Sequence, residues 1–514
     1  MAIHYSQPVL SADCRVLSTA AIMLYRRSRR RAVWVLAIFV FCWPAQGFAE
    51  FSRALPLNRF TVSRRALNNT AGFYTMPAAL ADDYFDGTSP MTRVKRHFMA
   101  ARRAGVGYLR CAFAWNGIEP KQGEFRWKFW DNFVSLAEQN HIKIIPYVAY
   151  TPQWAARNGK DFWKQPPRKP ELYADFMFQI AARYRGRVGA WEIWNEPDNK
   201  DYWTGTPDEF AELAMLAAKR IREADPNAVL ILGGVAYGPS KFLQVLITGY
   251  HLDRYVDVVA MHAYPESWLN VPMEKIFEQW VPAIAQLIDG DDSGDDLWVN
   301  EMGYPDYRYR RNQASVYGGE VNYGYEHTSA YQANMLFKME VMALASDRVS
   351  LTGWYRIDDF PLGEKRLGGD LVNYHLGVED VAQRPKPAFF ALAFFNRLFK
   401  QPTLHLRENH TRAQDSQAIL EVFQRKDKKV IVVGWLRSSR ADEVVDKSGI
   451  AEDRRTETIS AELPCAGARL LGSYNARGIQ LPRRSRVQNG LLQNIRLRGD
   501  QIFVAELSCG TAPH

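Results

Sequence analysis

The chain has 514 residues, 47% hydrophobic and 24% charged. It is long enough to bury a barrel core of roughly 250 residues and still build a second domain. Its net charge is +9, but residues 1–49 hold six arginines and one aspartate, which leaves +4 for the rest and excludes the overall basic footprint of a nucleic-acid-binding protein.

In the amino-terminal segment Arg26, Arg27, Arg29, Arg30 and Arg31 precede the apolar run "AVWVLAIFVFCWPA" and then "QGFAE". A basic region, an apolar run and small residues at Gly47 and Ala49 predict an export signal over residues 1–49, cleaved after Ala49, and hence a periplasmic or secreted protein. The run falls short of the ~20 residues of a spanning helix. An uncleaved anchor in the inner membrane is the alternative, and Met23 is a second candidate start. Export would leave three cysteines. Cys111 lies in an apolar strand and reads as a buried thiol, whereas Cys465 and Cys509 read as a disulfide pair in an oxidising compartment.

From about residue 66 a short apolar strand, a polar loop and an amphipathic helix recur. The strands expected in chain order are "GFYTM", "GYLRCAFAW", "KIIPYVAY", "AWEIWN", "VLILGGVA", "VDVVAMHAY", "LWVNEMGY" and "LTGWYRID". Eight such units predict an α/β fold, a (β/α)8 TIM barrel over residues 50–401. The best-marked helix follows the fourth strand. Thr206, Pro207 and Glu209 stand as cap, first helical residue and capping partner, and Phe210, Leu213, Ala214, Ala217 and Ile221 form its apolar stripe. After the aromatic helix "AFFALAFFNRLF" the texture changes. The runs "QAILEVFQRKDKKVIVVGWL" and "NIRLRGDQIFVAEL" read as hairpins, so residues 402–514 are expected to form a β-sandwich.

Two carboxylates stand out on this frame. Glu196 in "AWEIWNEPDNKDYW" and Glu301 in "LWVNEMGYP" each follow an apolar strand, the fourth and the seventh, and each precedes a loop containing Gly or Pro. Two carboxylates delivered to one end of a barrel are what acid-assisted glycoside cleavage needs, one to protonate the leaving oxygen and one to attack the sugar carbon. Arg110 ends an apolar strand and would be costly to bury unpaired, so it is expected to hold a carboxylate ionised. No H-E-x-x-H pattern, Walker loop or dinucleotide fingerprint opening a helix occurs, so no metal and no cofactor is implied.

The stretch "LRCAFAWNGIEPKQGEFRWKFWDNFVSLAEQNHIKIIPYVAYTPQWA", with "WEIWNEPD" and "WVNEMGYP" after it, resembles clan A glycoside hydrolases, most nearly family 39, over residues 100 to 400. The resemblance implies a retaining mechanism with Glu196 as acid/base and Glu301 as nucleophile. It further implies that Asn195 contacts the sugar 2-hydroxyl, that His262 and Tyr264 form the clan's H-x-Y pair with Tyr264 on Glu301, and that Trp354 is the aromatic platform under the sugar. Trp115, Trp154 and Tyr304 are weaker candidates for the same cleft, as are Tyr307, Tyr309, Tyr323 and Tyr325 in the long loop after the seventh strand. A capping Asn, a core His and core tryptophans stay open as alternatives. The partner expected is a polysaccharide or oligosaccharide. The first choice is internal cleavage of a β-linked exopolysaccharide, the second an exo-acting β-xylosidase-like enzyme, and the third a non-catalytic carbohydrate-binding protein of polysaccharide assembly.

Overall fold

The structure is a computed structural model that describes residues 21–23, 36–38, 72–84, 87, 89–269, 271–290, 295–306, 328–361, 371–406, 416–437, 453, 455–465, 467–499 and 501–509. Residues Met1–Leu57 form a unit of their own, in which the strands Ala21–Met23 and Leu36–Ile38 pair antiparallel. The arginine cluster, the expected cleavage point at Ala49, and Tyr307, Tyr309, Tyr323 and Tyr325 lie outside the described residues. Among the described residues no helix is long and apolar enough to cross a membrane.

The second unit, Asn58–His514, contains a closed parallel barrel. Its strands are β1 (Ala78–Ala81), β2 (Tyr108–Ala114), β3 (Lys143–Ala149), β4 (Ala190–Ile193), β5 (Val229–Val235), β6 (Val258–Ala263), β7 (Asp296–Met302) and β8 (Val349–Tyr355), with β8 closing on β1. The first strand is not "GFYTM": Tyr74 instead pairs through its backbone with Thr403, and "AALA" forms β1. Alanine carries no β propensity, but all four residues are buried, and tertiary packing overrides the local preference.

Period-two alternation decides what the barrel encloses. Ala79, Ile145, Ala190, Ile231, Val258, Ala260, Trp298 and Leu351 point inward and fill the interior, while the other face of each strand packs under the helices. The helix Pro207–Ala224 has the capping box its sequence announces: the Glu209 backbone N–H donates to Thr206 Oγ1 at 3.2 Å, and the Thr206 N–H donates to Glu209 Oε2 at 2.8 Å.

The C-terminal region contains two antiparallel sheets. The larger has the order β9 (Thr403–His405), β10 (Ala418–Arg425), β11 (Lys429–Leu436), β16 (Phe503–Cys509), β13 (Ala468–Tyr474), and the smaller the order β12 (Thr456–Glu462), β15 (Leu491–Arg498), β14 (Arg486–Gln488). The hairpin expected at 417–436 is present as β10 and β11. The one expected at 494–507 is not, because β15 lies in one sheet and β16 in the other, and both strands contribute apolar faces to the core between them. Cys465 and Cys509 are joined in a disulfide with a Cα–Cα distance of 5.9 Å, and Cys111 is free and buried. The sheets meet the barrel through ring contacts of Phe394 with Tyr474 and Phe399 with Phe423, and through Arg437 paired to Glu278 at 2.8 Å.

Candidate active site

Site geometry begins inside β4. Glu192 is fully buried, and its carboxylate accepts from Arg110 Nε at 2.7 Å, Arg110 Nη2 at 2.9 Å, the Gly234 backbone N–H at 3.0 Å and Asn300 Nδ2 at 2.9 Å. A buried carboxylate so saturated is a fixed anchor and not a reactant. It aims the Arg110 guanidinium, whose Nη1 donates to Glu301 Oε2 at 2.5 Å and whose Nη2 donates to Asn195 Oδ1 at 2.7 Å. Glu192 and Glu301 together outweigh the effect of burial and hold Arg110 firmly charged. Arg110 is 1% exposed, so its contacts are with these carboxylates beneath the cleft and not with a ligand.

Beyond β4 the backbone turns sharply: Trp194 and Glu196 both adopt left-handed conformations, with φ of 70° and 45°, uncommon outside glycine and concentrated at functional sites. The turn presents Glu196, whose N–H donates to the Gly234 carbonyl at 3.0 Å. Gly234 is required here, since a Cβ on it would lie 2.3 Å from His262 Nε2. His262, on β6, shares a 2.7 Å hydrogen bond between Nδ1 and Glu196 Oε1, and the same nitrogen lies 3.8 Å from Glu301 Oε1. Asn199 Nδ2 donates to Glu196 Oε2 at 2.9 Å, and the Tyr264 hydroxyl donates to Glu301 Oε1 at 2.5 Å. One oxygen of Glu196, one of Glu301 and a ring nitrogen of His262 all lie within 4.8 Å of one another. Burial opposes a charge on His262, but Glu301 and Glu196 outweigh it and raise its proton affinity.

Other expected ligand contacts are corrected by burial. Trp354 is fully enclosed and donates its indole N–H to the Leu376 carbonyl, because Leu351, Gly353 and Tyr355 are the residues of β8 that face inward. The aromatic side chain at the mouth is therefore Tyr355, packed with Tyr264 and bonded through its hydroxyl to Asp83 at 3.3 Å. Trp115 is also fully buried, stacked on Phe176 and bonded to Glu119, and Tyr304 is closed off with its hydroxyl on Glu266. Trp154, on the loop after β3, is half-buried and is held by Trp115 and the Glu119 carbonyl, which follow β2. None of Trp115, Tyr304 and Trp354 is open to stacking by a sugar in this conformation.

Several residues of the site carried no motif. Asp83, half-buried past the end of β1, accepts from the Tyr147 hydroxyl at 2.8 Å, and burial together with the Glu301 charge pushes its carboxyl up to about 7. Asp198 accepts the N–H groups of Ala236 and Tyr237, and burial plus the Glu196 charge raise it to about 6. Trp268, 38% exposed, sets its ring 4.5 Å from that of Tyr264. Counting alternate residues along the strands from the inward-facing Ala190 and Ile145 would have found Glu192 and Tyr147.

The endo-1,4-beta-xylanase 3 of Hypocrea jecorina is 27% identical over 181 residues, covering 32% of this chain and 45% of that protein. A beta-xylosidase of Geobacillus stearothermophilus is 22% identical over 317 residues, 57% of this chain and 58% of its own length. The chain thus spans about half the length of these curated relatives. Among solved structures, a family 39 glycoside hydrolase from Bacteroides cellulosilyticus WH2 superposes with a TM-score of 0.62 at 17% identity, covering 85% of this chain and 81% of that one, a likeness of fold. The family model for glycosyl hydrolases family 39 matches residues 104–440, which include Arg110, Glu192, Glu196, His262 and Glu301, and the chain belongs to that family.

Proposed function

We propose that the chain is a retaining glycoside hydrolase of β-linked glycans, with Glu301 as nucleophile and Glu196 as acid and base. The observation that carries this reading is the approach of the two carboxyl groups, with oxygens within 4.8 Å of each other. Separations near 5 Å go with a covalent intermediate, whereas inverting enzymes leave roughly 6.5–9.5 Å for a water. Arg110 and Tyr264 each occupy one oxygen of Glu301 and leave it lone pairs for attack on the anomeric carbon. The proton needed by the leaving oxygen lies in the short His262–Glu196 hydrogen bond, next to the group that must deliver it. Once Glu301 is esterified its charge is gone, and Glu196 takes a proton from the incoming water. Asn195 receives Arg110 on its Oδ1, which turns its amide N–H groups toward other partners and suits them to the sugar 2-hydroxyl.

The substrate in this reading is an exopolysaccharide or a related polymer cut internally by an exported enzyme. Exposed aromatics beyond the carboxylate pair, Trp268 after β6 and Tyr237 after β5, would hold further sugar units, and a disulfide suits an oxidising compartment. The names of the relatives make xylan the first polymer to try. Digestion of a panel of β-linked polymers is expected to release oligosaccharides whose first-formed ends keep the anomeric configuration by proton NMR. An inverted product would overturn the mechanism, and release of monomers alone would replace internal cleavage by exo action.

A further inference from the structure

Residues 467–499 contain seven arginines, Arg469, Arg477, Arg483, Arg484, Arg486, Arg496 and Arg498, and neither a lysine nor an acidic residue. All seven are exposed. This segment carries +7 in a chain whose residues beyond 49 sum to +4, so the modest overall charge conceals a local concentration. Among the described residues, none of Arg469, Arg477, Arg483, Arg484, Arg486 and Arg496 forms an ion pair.

Strand register sorts these side chains. In the small sheet Arg496 stands opposite Thr458 and Arg498 opposite Thr456 on β12, while Arg486 of β14 stands opposite Gln493 of β15. Val487, Leu492, Ile495 and Leu497 alternate with them and point into the sandwich core. Arg486, Arg496 and Arg498 therefore share the outer face with Thr456, Thr458 and Gln493, and Arg484 lies at the edge where the chain enters β14. Side chains two apart on a strand stand about 7 Å from each other and neighbouring strands about 5 Å. Like charges at that spacing repel unless a counter-charge joins them. Guanidinium groups are suited to carboxylate and other oxyanions through paired N–H donors, and the threonine and glutamine side chains between them offer partners for hydroxyl groups.

We propose that the outer face of the β12–β15–β14 sheet is a binding surface for an acidic polysaccharide, a carboxylate-bearing sugar polymer held outside the barrel. Choosing a sugar polymer as the polyanion rests on the hydrolase reading; the basic face itself does not. A membrane surface fits less well, because among the described residues of this domain the large exposed apolar side chains, Leu471 and Ile479, lie on β13 and the turn after it, away from this face.

The test uses the full chain and polygalacturonate, with neutral dextran and phosphatidylglycerol vesicles as comparison probes, by titration calorimetry in about 50 mM and about 300 mM NaCl. Polygalacturonate is expected to bind in low salt and weaken in high salt, and the triple variant Arg484→Gln, Arg486→Gln, Arg496→Gln to lose at least about tenfold in affinity with an unchanged melting temperature. Equal binding by the triple variant, equal binding of dextran, or capture by vesicles without polygalacturonate would each overturn the proposal. Hydrolysis of a short neutral oligosaccharide is read separately and is expected to be unaltered in the variant, so a failure of catalysis leaves the binding result standing.

Discussion

Two clusters in the barrel are built of the same parts. One joins Arg110, Glu192, Glu301, His262 and Glu196; the other joins Arg356, Asp82, Asp358, His97 and Arg93. Each has a fully enclosed arginine, carboxylates and a histidine. They differ in how the carboxylate oxygens are used. Asp82 is wholly buried and takes Arg356 at 2.6 Å, the Ile357 N–H at 3.1 Å and the Asp83 N–H at 2.8 Å. Glu301 keeps 13% of its side chain open, with a single donor on each oxygen. The second cluster fastens the seam where β8 closes on β1 and where the helix Met91–Arg103 covers it, so it acts as a clasp. Composition alone does not distinguish a reactive carboxylate from a structural one; unfilled lone pairs facing a cleft do.

The comparison breaks first on activity. Glu301→Gln and Glu196→Gln are each expected to lower kcat by about a thousandfold or more with melting temperatures near that of the parent, since no neighbour replaces a nucleophile or its acid partner. Near-normal turnover by either purified variant would sink the assignment. Asp82→Asn is expected to show the opposite profile, losing about 3–5 kcal/mol in urea unfolding as Arg356 loses the charge of its hydrogen-bonded carboxylate and keeps only the more distant Asp358, at 3.7 Å, while the folded fraction still turns over. A variant as stable as the parent would mean that the clasp does not hold the seam.

Gly234→Ala sharpens the contrast, because the added Cβ would meet His262 Nε2 at 2.3 Å and Asn300 Oδ1 at 3.0 Å. Overpacking there is expected to cost about 1–3 kcal/mol and to disturb the His262–Glu196 bond, seen as a fall in kcat larger than the loss of stability explains. The smallest effect concerns Glu340, enclosed on the helix Ser329–Ala345, bonded to the Thr352 hydroxyl at 2.6 Å and pushed up to about 8 by burial. Its folded form holds a proton that the unfolded chain releases near the ordinary carboxylate value. The contribution is therefore full below about pH 4.5 and lost as pH rises through about 8. Glu340→Gln should leave stability unchanged near pH 4.5 and raise it at pH 9, as thermal melts across that range would reveal; equal melting at pH 9 would refute it.

Much of this was legible because strands announce themselves by apolar runs and because Glu196 and Glu301 sit in distinctive strand ends. The closed barrel, the capping box at Thr206 and the 417–436 hairpin follow from period and turn chemistry. What failed did so for identifiable reasons. β1 is written in alanine, which has no strand signature, whereas the neighbouring "GFYTM" carries one and forms no barrel strand. Trp354 is the platform that the family resemblance implies, whereas period two from Leu351 puts Tyr355 on the inner face. Glu192, Asn300 and Asp83 act through partners distant in sequence, such as Arg110 and Tyr147, and no spacing along the chain encodes that.

β16, the last described strand in sequence, takes an interior place in its sheet, hydrogen-bonded to β11 on one side and to the edge strand β13 on the other. Until residues 503–509 have been made, β11 and β13 each present an open edge and the apolar side chains Val430 and Val432 lack their cover. Assembly of this region therefore waits for residues 503–509, and a form lacking them would carry two open edges prone to pairing with other molecules.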